Sequence, residues 1–380
     1  MDNLTHSLVG LTGAKAGLER LSPYATTVCV LAANAPDVDV LTRFGGSWFA
    51  LQHHRGITHS IVGTLTLGLL LPLVCCGLER IITRLRGTRP RIRLRGLLLA
   101  SLLACATHPV LDWLNNYGVR PLLPWDGRWF YGDILFIFDP WLWLLLGGAA
   151  CLLTARARRW RSVAWSVLAL VLTAAVLLLP ERAGMPLPVA ARVLWLAGVA
   201  FVVWARYARV PERFGAHVAQ TALALVVLYC ATLFFVHARA LAQARADAEV
   251  LARQHGERVL RLAAMPTLAN PTRWLTIAET DRATYRFPTR LPASSPSGAA
   301  EVARFAKPEG ARAEVARAAG DTRAVVFLNF ARFPVIQLQT PDPDHTLVQF
   351  ADLRFSVPGQ ARTTPARGFT LEVLVPRASQ

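Results

Sequence analysis

Four short stretches gather the side chains of this sequence that could do metal chemistry: "DNLTHS" with His6, "APDVD" with Asp37 and Asp39, "HHRGITHS" with His53, His54 and His59, and "THPVLDWLNNYG" with His108 and Asp112. Imidazole nitrogens mixed with carboxylate oxygens suit a divalent ion, zinc first, with manganese, iron or cobalt also compatible. The candidate metal ligands are His6, Asp37, His54, His59, His108 and Asp112, enough for one or two ions. His108 and Asp112 stand four apart, so on a helix they face the same way, although Pro109 between them removes a backbone donor. Each piece also has a plainer reading. Asp37 or Asp39 suits the cap of a short helix near Val40, His6 a backbone bond at a membrane interface, and His108 with Asp112 an interhelical hydrogen-bonded pair. Asp139, just before Pro140, suits a helix cap; a ligand role for it, and roles for Asp133 and His53, stay open.

The elements that must position these residues are membrane helices. The chain of 380 residues is 53% hydrophobic and only 17% charged, too apolar for an ordinary soluble domain. Apolar runs long enough to span a bilayer are expected at about Ile61 to Ile82, Leu94 to Trp113, Phe136 to Leu153, Val163 to Leu179, Val189 to Ala205 and Val218 to Val236. Two shorter segments, Leu4 to Leu18 and Pro23 to Ala35, suit thin or re-entrant crossings. No cleavable signal peptide is expected, because Asp2 and His6 stand where a basic region would be. The six cysteines all lie in apolar stretches, which argues against a disulfide framework or a thiolate metal site.

The net charge of +17 is almost wholly arginine, lysine appearing only at Lys15 and Lys307. Arginines concentrate between Glu79 and Arg95, in "RARRWR" (Arg156 to Arg161) and in "RYARVPER" (Arg206 to Arg213), each separated from the next by two helices. That spacing marks one cytoplasmic face rather than a nucleic-acid site, and it places the four ligand-bearing stretches together on the outer side. After Val236 the composition changes. The expected organisation is a polytopic helical membrane domain over residues 1–236, a polar connecting helix over 237–265, and a small β-rich extracytoplasmic domain over 266–380. Strands are expected in "RWLTIAE", "ATYRF", "AVVFLNF", "VIQLQT", "LVQFADLRFSV" and "FTLEVLV", with a loop at "PASSPSG".

His6, the "PDVD" of Pro36 to Asp39, the "HRGITHS" of His54 to Ser60 and "HPVLDWLNNYGVRPLLP" (His108 to Pro124) together resemble the YdjM-type membrane-bound metal-dependent hydrolases of bacteria. "YGDILFIFDPWLW" (Tyr131 to Trp143) and "MPTLANPTRW" (Met265 to Trp274) look like the longer members with a C-terminal domain. The order His, Asp, His, then His-x-x-x-Asp is also similar to the zinc-dependent phospholipase C group, which implies a phosphoester substrate; that group's later ligands have no counterpart here. These resemblances imply a hydrolase acting on a lipid or other phosphoester at the outer face of the cytoplasmic membrane. Arg55 would then clamp the phosphate, Asp39 or Asp112 would act as general base, and Gly56 would permit the turn joining His54 to His59. Membrane lipid is the expected partner, nucleic acid is not, and the oligomeric state is open. The competing reading is a non-catalytic, metal-stabilised membrane scaffold whose outer domain binds a partner. A metalloprotease ranks lower, since no HExxH is present. A transporter ranks lower too, because His and Asp do not recur along the later helices.

Overall fold

The computed structural model describes residues 1–182, 185, 187–292, 301–308, 312–358 and 369–377. The chain is a polytopic α-helical membrane protein with a C-terminal β-sheet region. Six helices among the described residues are long and apolar enough to cross a bilayer. They are α4 (Ile61–Leu85), α5 (Leu94–Trp113), α6 (Pro140–Thr154, continued by a 3-10 turn to Ala157), α7 (Arg159–Arg182), α8 (Val189–Tyr207) and α10 (His217–Gln254). Between α8 and α10 lies the short helix α9 (Val210–Phe214). The two N-terminal segments form α1 (Asn3–Lys15) and α2 (Ala25–Asn34). At 1.5 Å per residue they are roughly 20 and 15 Å long, short of the roughly 30 Å hydrocarbon core.

The chain divides into two compact units. The first comprises residues 1–38, 55–235 and 266–271, and holds the spanning helices α4 to α8 whole and α10 as far as Phe235. Its α1, α2 and α5 pack through small residues, with Ala14, Ala25, Cys29, Ala32, Ala100 and Ala104 all buried. Small side chains let membrane helices approach closely. A Cβ on Gly10 of α1 would stand 2.6 Å from the carbonyl oxygen of Cys29 on α2, so glycine sets that approach.

The second unit comprises residues 39–54, 236–265 and 272–380. It contains a four-stranded sheet in the order β1 (Val259–Thr267), β2 (Asn270–Thr280), β3 (Ala283–Arg290), β4 (Ala303–Ala306). A three-stranded sheet has the order β5 (Pro334–Asp342), β6 (His345–Asp352), β7 (Thr370–Pro376). Ala263, Met265 and Ile277 from the first sheet share a core with Val335 and Ala351 from the second and with Leu353 in the turn after β6. Two helices, α11 (Arg312–Ala319) and α12 (Thr322–Phe330), cover the three-stranded sheet.

Three expectations are corrected here. "AVVFLNF" is the helix α12 and not a strand: Asp321 caps it through the Arg323 amide at 2.8 Å, and Ala324, Phe327 and Phe330 bury one helical face. The polar helix after Val236 is the continuation of α10, and it stops at Gln254 because Gly256 turns left-handed (φ 64), so "VLRL" is strand. The third concerns two segments only: the units divide at 235/236 and 265/266, next to the expected bounds, but 39–54 and 266–271 belong to the other unit. Residues 39–54, including α3 (Ser47–His53), join the second unit because Trp48 packs on the Phe327, Val348 and Phe350 core. The β1–β2 turn joins the first because Ala269 packs with Val176, Leu187 and Trp195. Beyond Pro292, the loop "PASSPSG" lies outside the described residues.

Candidate metal centre

Local sequence signals deliver each ligand to one place in the first unit. Asp2 caps α1, accepting from the Thr5 amide at 2.9 Å, and the indole of Trp143 donates to the same carboxylate at 3.2 Å. That fixes the first turn of α1 and with it His6. His59 ends the 3-10 turn Ile57–His59, after which Ser60 caps α4 by accepting from the Gly63 amide at 3.1 Å. A Cβ on Gly63 would fall 1.8 Å from the Ile57 carbonyl oxygen, so this turn closes tightly only against glycine. Pro109 sits inside an unbroken α5, and His108 and Asp112 share its last turns.

The result is two overlapping groups, His6, His108 and Asp112, and Asp37, His59 and His108, each with ligand atoms within 4.8 Å of one another. His6 Nε2 lies 3.4 Å from Asp112 Oδ1, and His59 Nε2 lies 3.4 Å from Asp37 Oδ1 and 3.5 Å from Asp112 Oδ2. His108 Nε2 lies 3.5 Å from Asp37 and 3.6 Å from Asp112. Donors around a tetrahedral ion with bonds of about 2.0–2.1 Å stand about 3.3 Å apart, so these separations fit. His6 adds a stronger sign of fit: its ring is fully buried, stacked on His108 at 3.7 Å, and neither nitrogen makes a hydrogen bond. A buried imidazole left in that state is costly unless a cation takes its lone pair.

Outer contacts orient the ligands. His108 Nδ1 donates to the Ala33 carbonyl at 2.7 Å, using an acceptor in the last turn of α2 and leaving Nε2 for the centre. Asn3 donates to Asp37 Oδ2 at 2.9 Å. Burial pushes the Asp37 carboxyl up, but the bonds from His108 and His59 outweigh it and hold it well below the usual carboxylate range. His6, His59 and His108 are inaccessible and Asp112 nearly so, whereas Asp37 keeps 19% exposure and marks where the centre meets its surroundings.

Five of the six expected ligands are thus brought together. The sixth, His54, is placed in the second unit, where its Nδ1 lies 3.2 Å from Asp39 Oδ1. The left-handed residue of the turn is Arg55 (φ 50), and Gly56 has φ −87, which corrects the role expected of that glycine.

Arg55 is also reassigned. Its guanidinium is buried, lies over the Tyr117 ring, and donates to Asp112 Oδ1 at 3.0 Å, to Asn115 Oδ1 and the Gly118 carbonyl at 3.1 Å each, and to the Asp112 carbonyl at 3.3 Å. With both Nη groups engaged by protein acceptors and one of them on the Asp112 carboxylate, it acts as a positioning residue for Asp112. Arg55→Lys, which cannot span four acceptors, should therefore weaken metal binding by about 10–100-fold, the usual effect of removing an outer-shell partner. A clamp would leave metal affinity unchanged, and competition titration with a chelator distinguishes the two.

Asn3, Asn115 and Gly118 escaped the sequence reading as contributors. Asn3 had a signal, one helical turn before His6; Asn115 and Gly118 had none beyond lying in the His108 motif. Asp139 is the α6 cap, accepting from the Trp141 and Leu142 amides at 2.9 and 3.1 Å and from the Tyr229 hydroxyl at 2.9 Å. Its burial pushes its pKa up to about 6.

A multi-pass membrane protein with a buried histidine and aspartate cluster, ringed by side chains that orient it, is the class that fold and site define. Residues 1–184 match the family described as YdjM inner membrane protein, a segment that contains all five clustered ligands. The chain is also similar to "Uncharacterized protein YfhP" of Bacillus subtilis (strain 168), 27% identical over 154 residues, which is 38% of this chain and 43% of that relative's length. No solved structure matches the chain.

Proposed function

We propose that this protein is a membrane-embedded, metal-dependent hydrolase of a lipid or other phosphoester. The observation that carries the metal is the buried His6 ring without a hydrogen bond, set between two ligand groups that share His108. His6, Asp37, His59, His108 and Asp112 would hold one or two divalent ions, zinc being the best match to this donor set. Such an ion would supply Lewis-acid polarisation of a phosphoryl oxygen and a water of lowered pKa. The chain's own parts are distinct. Arg55 and Asn3 fix the carboxylates, the Ala33 carbonyl fixes the His108 tautomer, and the partial exposure of Asp37 gives a side from which substrate approaches. Asp39, the other residue expected to act as general base, belongs with His54 to the second unit, where the two side chains pair.

The phosphoester class rests on similarity to the ligand order of zinc-dependent phospholipase C. The hydrolase itself rests on the YdjM resemblance together with the buried, oriented donor set. The complete burial of the three histidines favours the second reading, a closed metal centre that staples a scaffold. One assay separates them. Purified protein, stripped with chelator and reloaded with zinc or manganese, is offered glycerophospholipids, polyprenyl phosphates and a generic phosphodiester. Metal-dependent turnover of any of them supports the enzyme; a metal-loaded protein inert on all supports the scaffold.

The site would face the outside. The arginine-rich segment from Arg80 to Arg95 joins α4 to α5 at the ends opposite His59 and Asp112, and basic segments stay in the cytoplasm. Cysteine labelling should place Arg89 inside and Gly127, Met185 and Ser297 outside; a cytoplasmic Ser297 would overturn the extracytoplasmic placement of the C-terminal domain.

A further inference from the structure

Away from the metal centre, the first unit contains a cavity of about 360 Å³ among α1, α6, α7 and α8. That lies within the roughly 300–1,000 Å³ typical of ligand sites. Its walls are mostly apolar and include Gly147 and Gly148 on α6 and Ala169 on α7; a Cβ on Gly148 would stand 2.8 Å from Val202, so that glycine sets the approach of α6 to α8. The cavity is elongated along the helices. On α8 its lining runs from Trp195 to Arg206, about 16 Å of helix, close to the thickness of one leaflet of a roughly 30 Å hydrocarbon core.

Its two ends differ. At one end it is lined by Trp143 and Trp195. At the other stands Arg206, whose guanidinium donates to the neutral Ser162 hydroxyl, while the nearby Glu212 carboxylate is taken by Arg156. Among the described residues no carboxylate pairs with Arg206. A cation at the end of a membrane helix, lining an apolar slot without a counter-ion, calls for an anion from outside the chain. Arg156, Arg158, Arg159 and Arg161 in the adjoining loop and first turn of α7 add to the positive field at that end.

We infer that this cavity holds one acyl chain of an anionic phospholipid from the arginine-side leaflet, with its phosphate at Arg206. The apolar slot takes the chain, its length matches a single leaflet, and a guanidinium held, among the described residues, only by neutral partners selects the charge. This inference is independent of the hydrolase reading and stands or falls separately from it.

Full-length protein in detergent is titrated with dioleoyl phosphatidylglycerol and dioleoyl phosphatidylcholine and followed by native mass spectrometry. One phosphatidylglycerol should be retained about fivefold more tightly than phosphatidylcholine, the worth of one basic residue near an anionic surface. Arg206→Gln should erase that preference, and Ala169→Trp, which fills the slot, should erase retention of either lipid. Phosphatidylglycerol with a photoreactive group on its acyl chain, reconstituted with the unaltered protein, should label α6, α7 and α8 in the segments that line the cavity. Equal retention of the two lipids, full retention by a folded Ala169→Trp protein, or labelling spread evenly onto the exposed Leu65, Leu69 and Leu73 face of α4 would each overturn the assignment.

Discussion

Asp112→Ala should cost the protein both its metal and a large part of its stability. The Asp112 carboxylate is 1% exposed and is contacted by His6, His59 and His108 on one side and by Arg55 on the other, with the Met1 ammonium also paired to it. Removing it takes a candidate ligand from one of the two groups and breaks the ion pair with the Arg55 guanidinium, itself only 3% exposed. Breaking a buried ion pair from one side costs about 3–5 kcal/mol, because the remaining charge stays desolvated. Loss of bound metal removes further stability by mass action, since an ion that binds only the folded state holds that state. The prediction is a large drop in the melting temperature of the detergent-solubilised protein together with loss of metal by elemental analysis. Insertion into the membrane should be unaffected, because a buried charge gives no help to a helix entering lipid. Asp112→Asn keeps an acceptor for Arg55 and should recover part of the stability but not the metal. An Asp112→Ala protein that melts with the parent would show that Arg55 finds adequate partners in Asn115 and the Gly118 carbonyl alone.

The second large effect is expected at His108, which is common to both ligand groups. His108→Ala should bring bound metal to the background level. His6→Ala and Asp37→Ala each disable one group and leave the other three residues in place. His108 offers the centre one lone pair, on Nε2, and can ligate one ion only, so a second ion would show as metal kept at about half the parent stoichiometry in His108→Ala as in the single variants. A single ion shared by the cluster would instead show as weakened affinity in His6→Ala and Asp37→Ala, with full loading of both at high metal concentration. His108→Ala also releases the Ala33 carbonyl at the end of α2 and the stacking against His6, so its stability should fall even in the stripped protein. Full metal content in His108→Ala would remove the centre altogether.

The sequence by itself determined which residues can bind metal and which segments can cross the membrane. Ligand chemistry belongs to the side chain, His108 and Asp112 at four-residue spacing belong to any helix, and a run of some 18 apolar residues is its own argument for a span. Those are local properties, and the six long helices and the identity of the candidate ligands follow from them. Only the tertiary structure decided what depends on neighbours far along the chain. Arg55 lies 57 residues before Asp112, and nothing in "HHRGITHS" shows that its guanidinium will bond to that carboxylate and to Asn115 and Gly118. His54 sits one residue from Arg55 and has the same ligand chemistry as His59, yet it turns to Asp39, because residues 39–54 pack through Trp48 with the second unit. "AVVFLNF" satisfies the composition of a strand, but the Asp321 cap and a core that receives every third residue make it a helix. Tertiary burial outweighs local propensity wherever the two disagree, and partners distant in sequence decide which donors remain for chemistry.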